Sequence, residues 1–106
     1  MEESTEDSLL KEIQRKGVAN SKLISLLNEK VVRLTNVLKE IPRLEFHIKI
    51  ASNVSLFWNI QEKRLLLVAD GGSPKGILDQ PFRVQKLIGE NWTHILEEIN
   101  NNLGEI

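Results

Sequence analysis

The chain contains no cysteine among its 106 residues, and this absence removes several kinds of site at once. Without thiols there can be no disulfide, no thiolate metal centre and no cysteine nucleophile. Long apolar runs are also missing, since none approaches the roughly 18 residues that a membrane span needs. The first residues are acidic and polar, unlike a signal peptide. We therefore expect an intracellular protein, cytoplasmic or nuclear, with no membrane partner.

The composition is that of an ordinary folded chain. Apolar residues make up 41% and charged residues 27%, so extended disorder is not expected. A chain of this length has room for one domain, here residues 1–106. We expect a helical part over residues 5–41, followed by a sheet and a C-terminal helix over residues 43–106.

The net charge of −1 conceals a segregation of charge along the chain. Residues 1–7 and 87–106 each carry four acids and no base, whereas residues 8–86 carry all 14 bases and seven acids. Such a basic middle can attract an acidic partner or a nucleic-acid backbone. The alternative is that the acidic ends fold back on it, or that the charges only solvate the surface.

The first 41 residues show the spacing of amphipathic helix. Gly17 favours a break there, because glycine tolerates the left-handed conformation at a helix end. This predicts one helix over about residues 5–16 and a second from Asn20 or Ser21 to Ile41, where Pro42 stops it. The alternative is a single helix, since Leu10 and Ile13 fall in the same heptad register as the second helix.

The second helix carries a line of apolar residues at alternating spacings of three and four, typical of a helix that packs on another helix. We predict that this line binds a partner, in a homodimer or in a heterodimer with a similar chain. The alternative is that the line packs only against the chain's own core. The six heptad residues are Ile24, Leu27, Val31, Leu34, Leu38 and Ile41.

After Pro42 the apolar period changes to two, which predicts strands over residues 44–51, 54–61 and 64–69. The intervening turns are short, so the strands should form an antiparallel meander. The third strand is apolar on both faces, typical of a central or well-covered strand. Ile77 and Leu78 are candidates for a short fourth strand.

Asp79 is the expected cap of a single C-terminal helix with Pro81 in its first turn. Gly89 interrupts that helix and predicts a kink or close packing. The fold class is therefore α+β: an N-terminal helix, a long amphipathic helix, a three- to four-stranded antiparallel meander and a C-terminal helix.

No residue pattern indicates catalysis, a cofactor or a metal. The glycine-rich loop over residues 71–76 lacks the order of a P-loop, and we interpret it as a connection. His47 and His94 are too few and too separated to predict a metal site. Trp58 and Trp92 lie on the inward positions of their elements, whereas Phe57 points outward, where it could stack on bases or be covered. We predict a non-enzymatic protein.

The order of elements is similar to the RWD-like heads of kinetochore coiled-coil subunits. The resemblance covers roughly residues 20–99 and is based on the order of elements, above all over residues 65–99. There a strand, a glycine loop, the short run Gly76–Asp79 and a Trp-bearing helix follow one another. The coiled coil is much shorter than in that family. The resemblance implies a dimeric interaction module, or adaptor, that recruits other proteins.

A second resemblance, to a winged helix, implies DNA binding by a regulator. It is based on two helical segments around a glycine turn, followed by a hairpin with Gln61–Arg64 at its tip. The nucleic-acid-binding residues would be Arg33, Lys39, Lys63 and Arg64. The sequence departs from this pattern, because a helix-turn-helix needs a turn between Asn20 and Ile41.

Overall fold

Helices lie at both ends of the chain and a sheet lies between them, in a computed structural model that describes residues 5–103. This is the α+β class that the sequence predicts. The elements are α1 (Thr5–Leu38), β1 (His47–Ala51), β2 (Val54–Asn59), β3 (Arg64–Ala69), a 3₁₀ turn (Ile77–Asp79), α2 (Phe82–Glu90) and α3 (Trp92–Leu103).

The predicted break at Gly17 is wrong, because α1 is one helix of 34 residues. Glycine in a helix interior costs only about 1 kcal/mol relative to alanine. The good helix formers around it, such as Lys16 and Ala19, offset that cost. A Cβ added at Gly17 would meet no atom within 4 Å, so no packing requirement forces a glycine or a turn there.

The end of α1 also differs from the prediction, since the helix ends at Leu38 and not at Ile41. The last turn tightens through hydrogen bonds of the i to i+3 type, including Ile41 N–H to the Leu38 carbonyl at 3.1 Å. Arg43 then adopts a left-handed φ of 56°, which turns the chain toward the sheet.

The sheet is the predicted antiparallel meander, in the order β1-β2-β3. Leu56 of β2 pairs with Ile48 of β1 and with Leu67 of β3, so these three side chains share the inner face. The outer face carries His47, Phe57 and Leu66 in one row. The β2–β3 turn places Lys63 in a left-handed conformation with φ 53°.

β3 is well covered, one of the two alternatives that its sequence predicts, since Leu65, Leu66 and Leu67 are buried. It nevertheless lies at the edge of the sheet, where Leu67 forms an isolated bridge with Lys75 through hydrogen bonds of 2.8 and 3.1 Å. Ile77 and Leu78 lie in the 3₁₀ turn, not in a fourth strand. The buried Gln80 then donates its Nε2 to the Leu67 carbonyl at 2.9 Å, which holds this segment against β3.

The C-terminal helix is divided into α2 and α3, and it is Pro81, not Asp79, that immediately precedes α2. The division falls at Asn91, two residues after the predicted kink at Gly89. Both the backbone N–H and the side-chain Nδ2 of Asn91 donate to the Leu87 carbonyl, at 3.1 and 2.8 Å. These bonds close the end of α2 at Asn91, immediately before α3 begins at Trp92.

The core lies between the inner face of the sheet and the helices. Trp58 and Trp92 belong to this one cluster, as their inward positions predict. The contribution of α1 comes only from its C-terminal part, where Leu27 and Leu38 are its buried residues. The molecule is consequently elongated, with extents of 69 × 27 × 23 Å. No helix within residues 5–103 is both long enough and apolar enough to cross a bilayer.

Candidate protein-binding surface

The N-terminal part of α1 carries an uncovered row of large apolar side chains. We call this row the apolar stripe and define it as Leu9, Leu10, Ile13, Leu23 and Ile24. Successive helix residues are turned by about 100°, which brings these five to one side of α1. That side also faces the core further along the helix, at Leu27. Ile13 is 63% exposed and Ile24 is 37% exposed.

The stripe lies on a part of α1 that projects from the domain. Over Thr5–Leu26, 22 residues, no side chain is buried. This length corresponds to about 33 Å of helix and to about three heptads. Isolated helices depend on packing of their apolar face for most of their stability. Within residues 5–103, no side chain of this segment belongs to the buried core.

The six heptad residues that the sequence predicts to bind a partner differ in how deeply they are buried. Leu27 and Leu38 are buried in the chain's own core, and Val31, Leu34 and Ile41 pack against that core while partly buried. Ile24 is the exposed member of the set. Their contact with another chain stays a prediction, and burial leaves Ile24 as the member most accessible to a partner.

The predicted partner-binding set does not include Leu9, Leu10, Ile13 or Leu23. The break predicted at Gly17 places the first three of these in a separate helix. The signal that could have found them is the heptad register, which continues from Leu10 and Ile13 to Ile24. Gly17 and Asn20 occupy the two positions between and weaken the pattern.

A groove opens where the stripe reaches the domain, between α1 and α2. We call it the α1–α2 groove. Its volume is about 200 Å³, several times the roughly 30 Å³ of one water molecule, so it can hold a side chain. Its walls are mostly apolar, with Lys30, Lys86 and Glu90 also among its lining residues. The lining comprises Leu23, Ile24, Leu26, Leu27 and Lys30 from α1, and Phe82, Gln85, Lys86, Gly89 and Glu90 from α2.

Gln85 lines this groove, and two hydrogen bonds hold its side chain in place. Its Nε2 donates to the carbonyls of Gln80 and Leu78, at 2.9 and 3.2 Å. Those bonds determine the amide orientation and direct Oε1 away from both carbonyls. Oε1 is buried without a hydrogen-bond partner among the described residues. The side chain therefore holds the start of α2 to the 3₁₀ turn at the cost of one unsatisfied acceptor.

The four predicted nucleic-acid-binding residues are all exposed, but only two of them line the same cleft. Lys39 and Lys63 line a common cleft together with Arg43, at the C-terminal end of α1. Arg64 is paired with Glu62 at 2.7 Å. The winged-helix arrangement needs a turn after Asn20, whereas α1 continues without a break to Leu38.

The remaining candidate positions, in the histidines and the glycine loop, take part in packing, turn and ion-pair contacts. His47 packs edge-on against Phe57, with ring centroids 6.4 Å apart, on the outer face of the sheet. In the glycine loop, Gly71 adopts a left-handed φ of 74°, and Asp70 is paired with Arg83 of α2. Within the described residues, no three His, Asp or Glu side chains form a group suited to a metal ion.

Comparisons of the chain with protein families, with characterised proteins and with solved structures found no match. The exposed surface of α1 is therefore the feature from which a function can be inferred.

Proposed function

We propose that the chain is a non-enzymatic protein–protein interaction module that dimerises through the projecting part of α1. The observation that carries this proposal is the apolar stripe, five large apolar side chains on one side of a helix that stay exposed among the described residues 5–103. Burial of such side chains contributes roughly 1.5–3 kcal/mol each when it is complete. The occupant we propose is α1 of a second copy of this chain.

The length of the projecting helix supports the same proposal. Helices of fewer than about 12–15 residues are marginal in water even when their composition is favourable, and longer ones still gain most of their stability from packing. The 22 residues of Thr5–Leu26 include Gly17 and contribute no buried side chain to the domain. A partner helix along the stripe supplies the missing contacts.

The test is the mass in solution of the full chain and of one variant. One copy weighs 12.1 kDa, so sedimentation equilibrium at micromolar concentration should give about twice that mass. Ile13→Asp places a charge in the centre of the stripe and should return the mass to that of a monomer, with the domain still folded. A monomeric unmodified chain at high micromolar concentration would refute the proposal.

Val18→Asp is the matched control. Val18 is also an exposed apolar residue of α1, but it lies about 140° around the helix from Ile13. It introduces the same charge into the same projecting segment, so effects on helix propensity are shared. We expect Val18→Asp to leave the dimer intact, and dissociation by both variants would show that the stripe is not the contact.

Recruitment of a further protein by the dimer, as the RWD-like resemblance implies, stays a prediction. The dimerisation proposal does not depend on it, because the stripe is sufficient to motivate self-association. Function as an adaptor would need an additional surface outside α1.

Nucleic-acid binding is the second candidate function, favoured by the cleft that brings Lys39, Arg43 and Lys63 together. Binding through phosphates should weaken steeply with salt, because it is driven by release of counterions. Titration of labelled duplex DNA at low and moderate salt tests this function. Absence of binding at low salt excludes it.

A further inference from the structure

We infer that the two α1 helices of the dimer run antiparallel, so that the N-terminal end of each copy reaches the α1–α2 groove of the other. This inference rests on the proposed self-association and specifies its geometry. Three observations carry it: the register of the heptads, the segregation of charge, and the position of the groove at the end of the stripe.

The first observation is that one antiparallel register satisfies the apolar positions. With the centre of the overlap between Val18 and Ala19, each layer pairs residues whose numbers add to 37. This register pairs the exposed Ile13 with the exposed Ile24 and matches the small Gly17 with the polar Asn20. Leu10 comes level with Leu27, whose own side chain is buried in the core.

Registers one heptad away are worse for different reasons. A shift toward the N-terminus pairs Leu10 with Asn20 and Ile13 with Gly17, which leaves both apolar residues without an apolar partner. A shift toward the domain pairs Ile13 with Val31, which already packs on the chain's own core, and leaves the exposed Ile24 opposite the polar Asn20. The middle register is the one that places the exposed Ile13 and Ile24 opposite each other.

Charge distinguishes antiparallel from parallel pairing. The first turn of α1 carries two acids, Glu6 and Asp7, and no base. A parallel dimer places two such turns side by side, and like charges in contact are unfavourable. An antiparallel dimer places them beside the groove of the other copy, where Lys30 and Lys86 outnumber Glu90, the carboxylate that lies 4.0 Å from Lys86.

The groove gives the N-terminal end an apolar place to pack. In the inferred register, Leu9 and Leu10 come level with Asn28 and Leu27 of the second copy, where the groove opens between the two helices. Because the dimer has two-fold symmetry, this contact occurs twice. Each groove therefore extends the contact beyond the three heptads of the projecting helix.

Cross-linking decides the orientation, and the absence of native cysteine makes the result unambiguous. The variant carrying both Ile13→Cys and Ile24→Cys is treated with a short bismaleimide and mapped by mass spectrometry. Antiparallel pairing predicts an intermolecular link between positions 13 and 24. Parallel pairing predicts links from 13 to 13 and from 24 to 24, because the two positions are then about 16 Å apart along the axis.

The outcomes separate this inference from the proposed function. Links between like positions in a dimer overturn the antiparallel geometry and leave the dimer standing. Absence of cross-links together with a monomeric mass of the unmodified chain overturns both. The mass of the double cysteine variant before cross-linking shows whether its helix pairing is retained.

A charge exchange tests the groove contact. Glu6→Lys and Lys86→Glu should each weaken self-association by about three- to tenfold, since each replaces two exposed attractions by repulsions. The combined variant should restore most of the affinity. Lys22→Glu changes the net charge equally but lies on the side of α1 opposite the stripe, and it should have little effect. Equal weakening by Lys86→Glu and Lys22→Glu without restoration would overturn the groove contact.

Discussion

Val37 and Leu38 are neighbours in the chain with opposite surroundings. Leu38 is 1% exposed and belongs to the core, whereas Val37 is 61% exposed. The turn of 100° per residue in a helix separates their side chains and puts only one of them under the sheet. Residue type alone does not distinguish the two.

This contrast predicts different effects of truncation to alanine. Leu38→Ala should lower the free energy of unfolding by about 2–5 kcal/mol, because it removes buried methyl groups and leaves a cavity. Val37→Ala, at an exposed position one residue earlier, should change it by no more than about 0.5 kcal/mol. Urea denaturation of both variants measures the difference, and equal effects would contradict the core assignment of Leu38.

Gln85 is the residue-scale example of a polar group inside the fold. Gln85→Ala removes the donors of two carbonyls, those of Gln80 and Leu78, and should lower the free energy of unfolding by about 1–3 kcal/mol. Lys86→Ala, at the next position of α2 but exposed, is the control and should be close to neutral. A neutral Gln85→Ala would mean that its unsatisfied Oε1 costs as much as its two hydrogen bonds contribute.

At the scale of elements, the continuity of α1 through Gly17 is the main departure from the sequence prediction. A glycine at a helix end and one in a helix interior have the same sequence context when good helix formers flank both sides. The difference in cost, about 1 kcal/mol, is small enough for the neighbouring residues to decide.

Two substitutions at position 17 test that continuity. Gly17→Ala should raise the helical circular dichroism signal, because alanine gains about 1 kcal/mol over glycine in a helix and a Cβ here meets open space. Gly17→Pro should break the helix and lower the signal, with the core unaffected. If α1 were instead broken at residue 17, both substitutions would leave the signal nearly unchanged.

At the scale of the whole molecule, the projecting helix makes the chain larger than a compact protein of its length. The Cα radius of gyration is 17.4 Å, whereas a compact domain of about 100 residues has roughly 13 Å. The excess comes from a segment that contributes nothing to the core, since the buried cluster begins at Leu27.

Removal of residues 1–20 therefore should not unfold the domain. We expect the shortened chain to keep its cooperative thermal transition, to have a radius of gyration near the compact value in small-angle scattering, and to be monomeric because most of the stripe is gone. A shortened chain that still dimerises would place the contact on the domain. One that no longer folds would show that α1 is stabilised along its whole length.

The sequence by itself determined the class and order of the elements. Apolar residues at every second position after Pro42 specified three strands. The short connections between those strands specified an antiparallel meander. Both features are local in the chain. The helical character of residues 5–38 was equally local. Only the tertiary structure decided which part of the heptad line is core and which is exposed. The spacing of three and four is the same on both sides of Leu27, and burial depends on where the sheet and α2 pack against it.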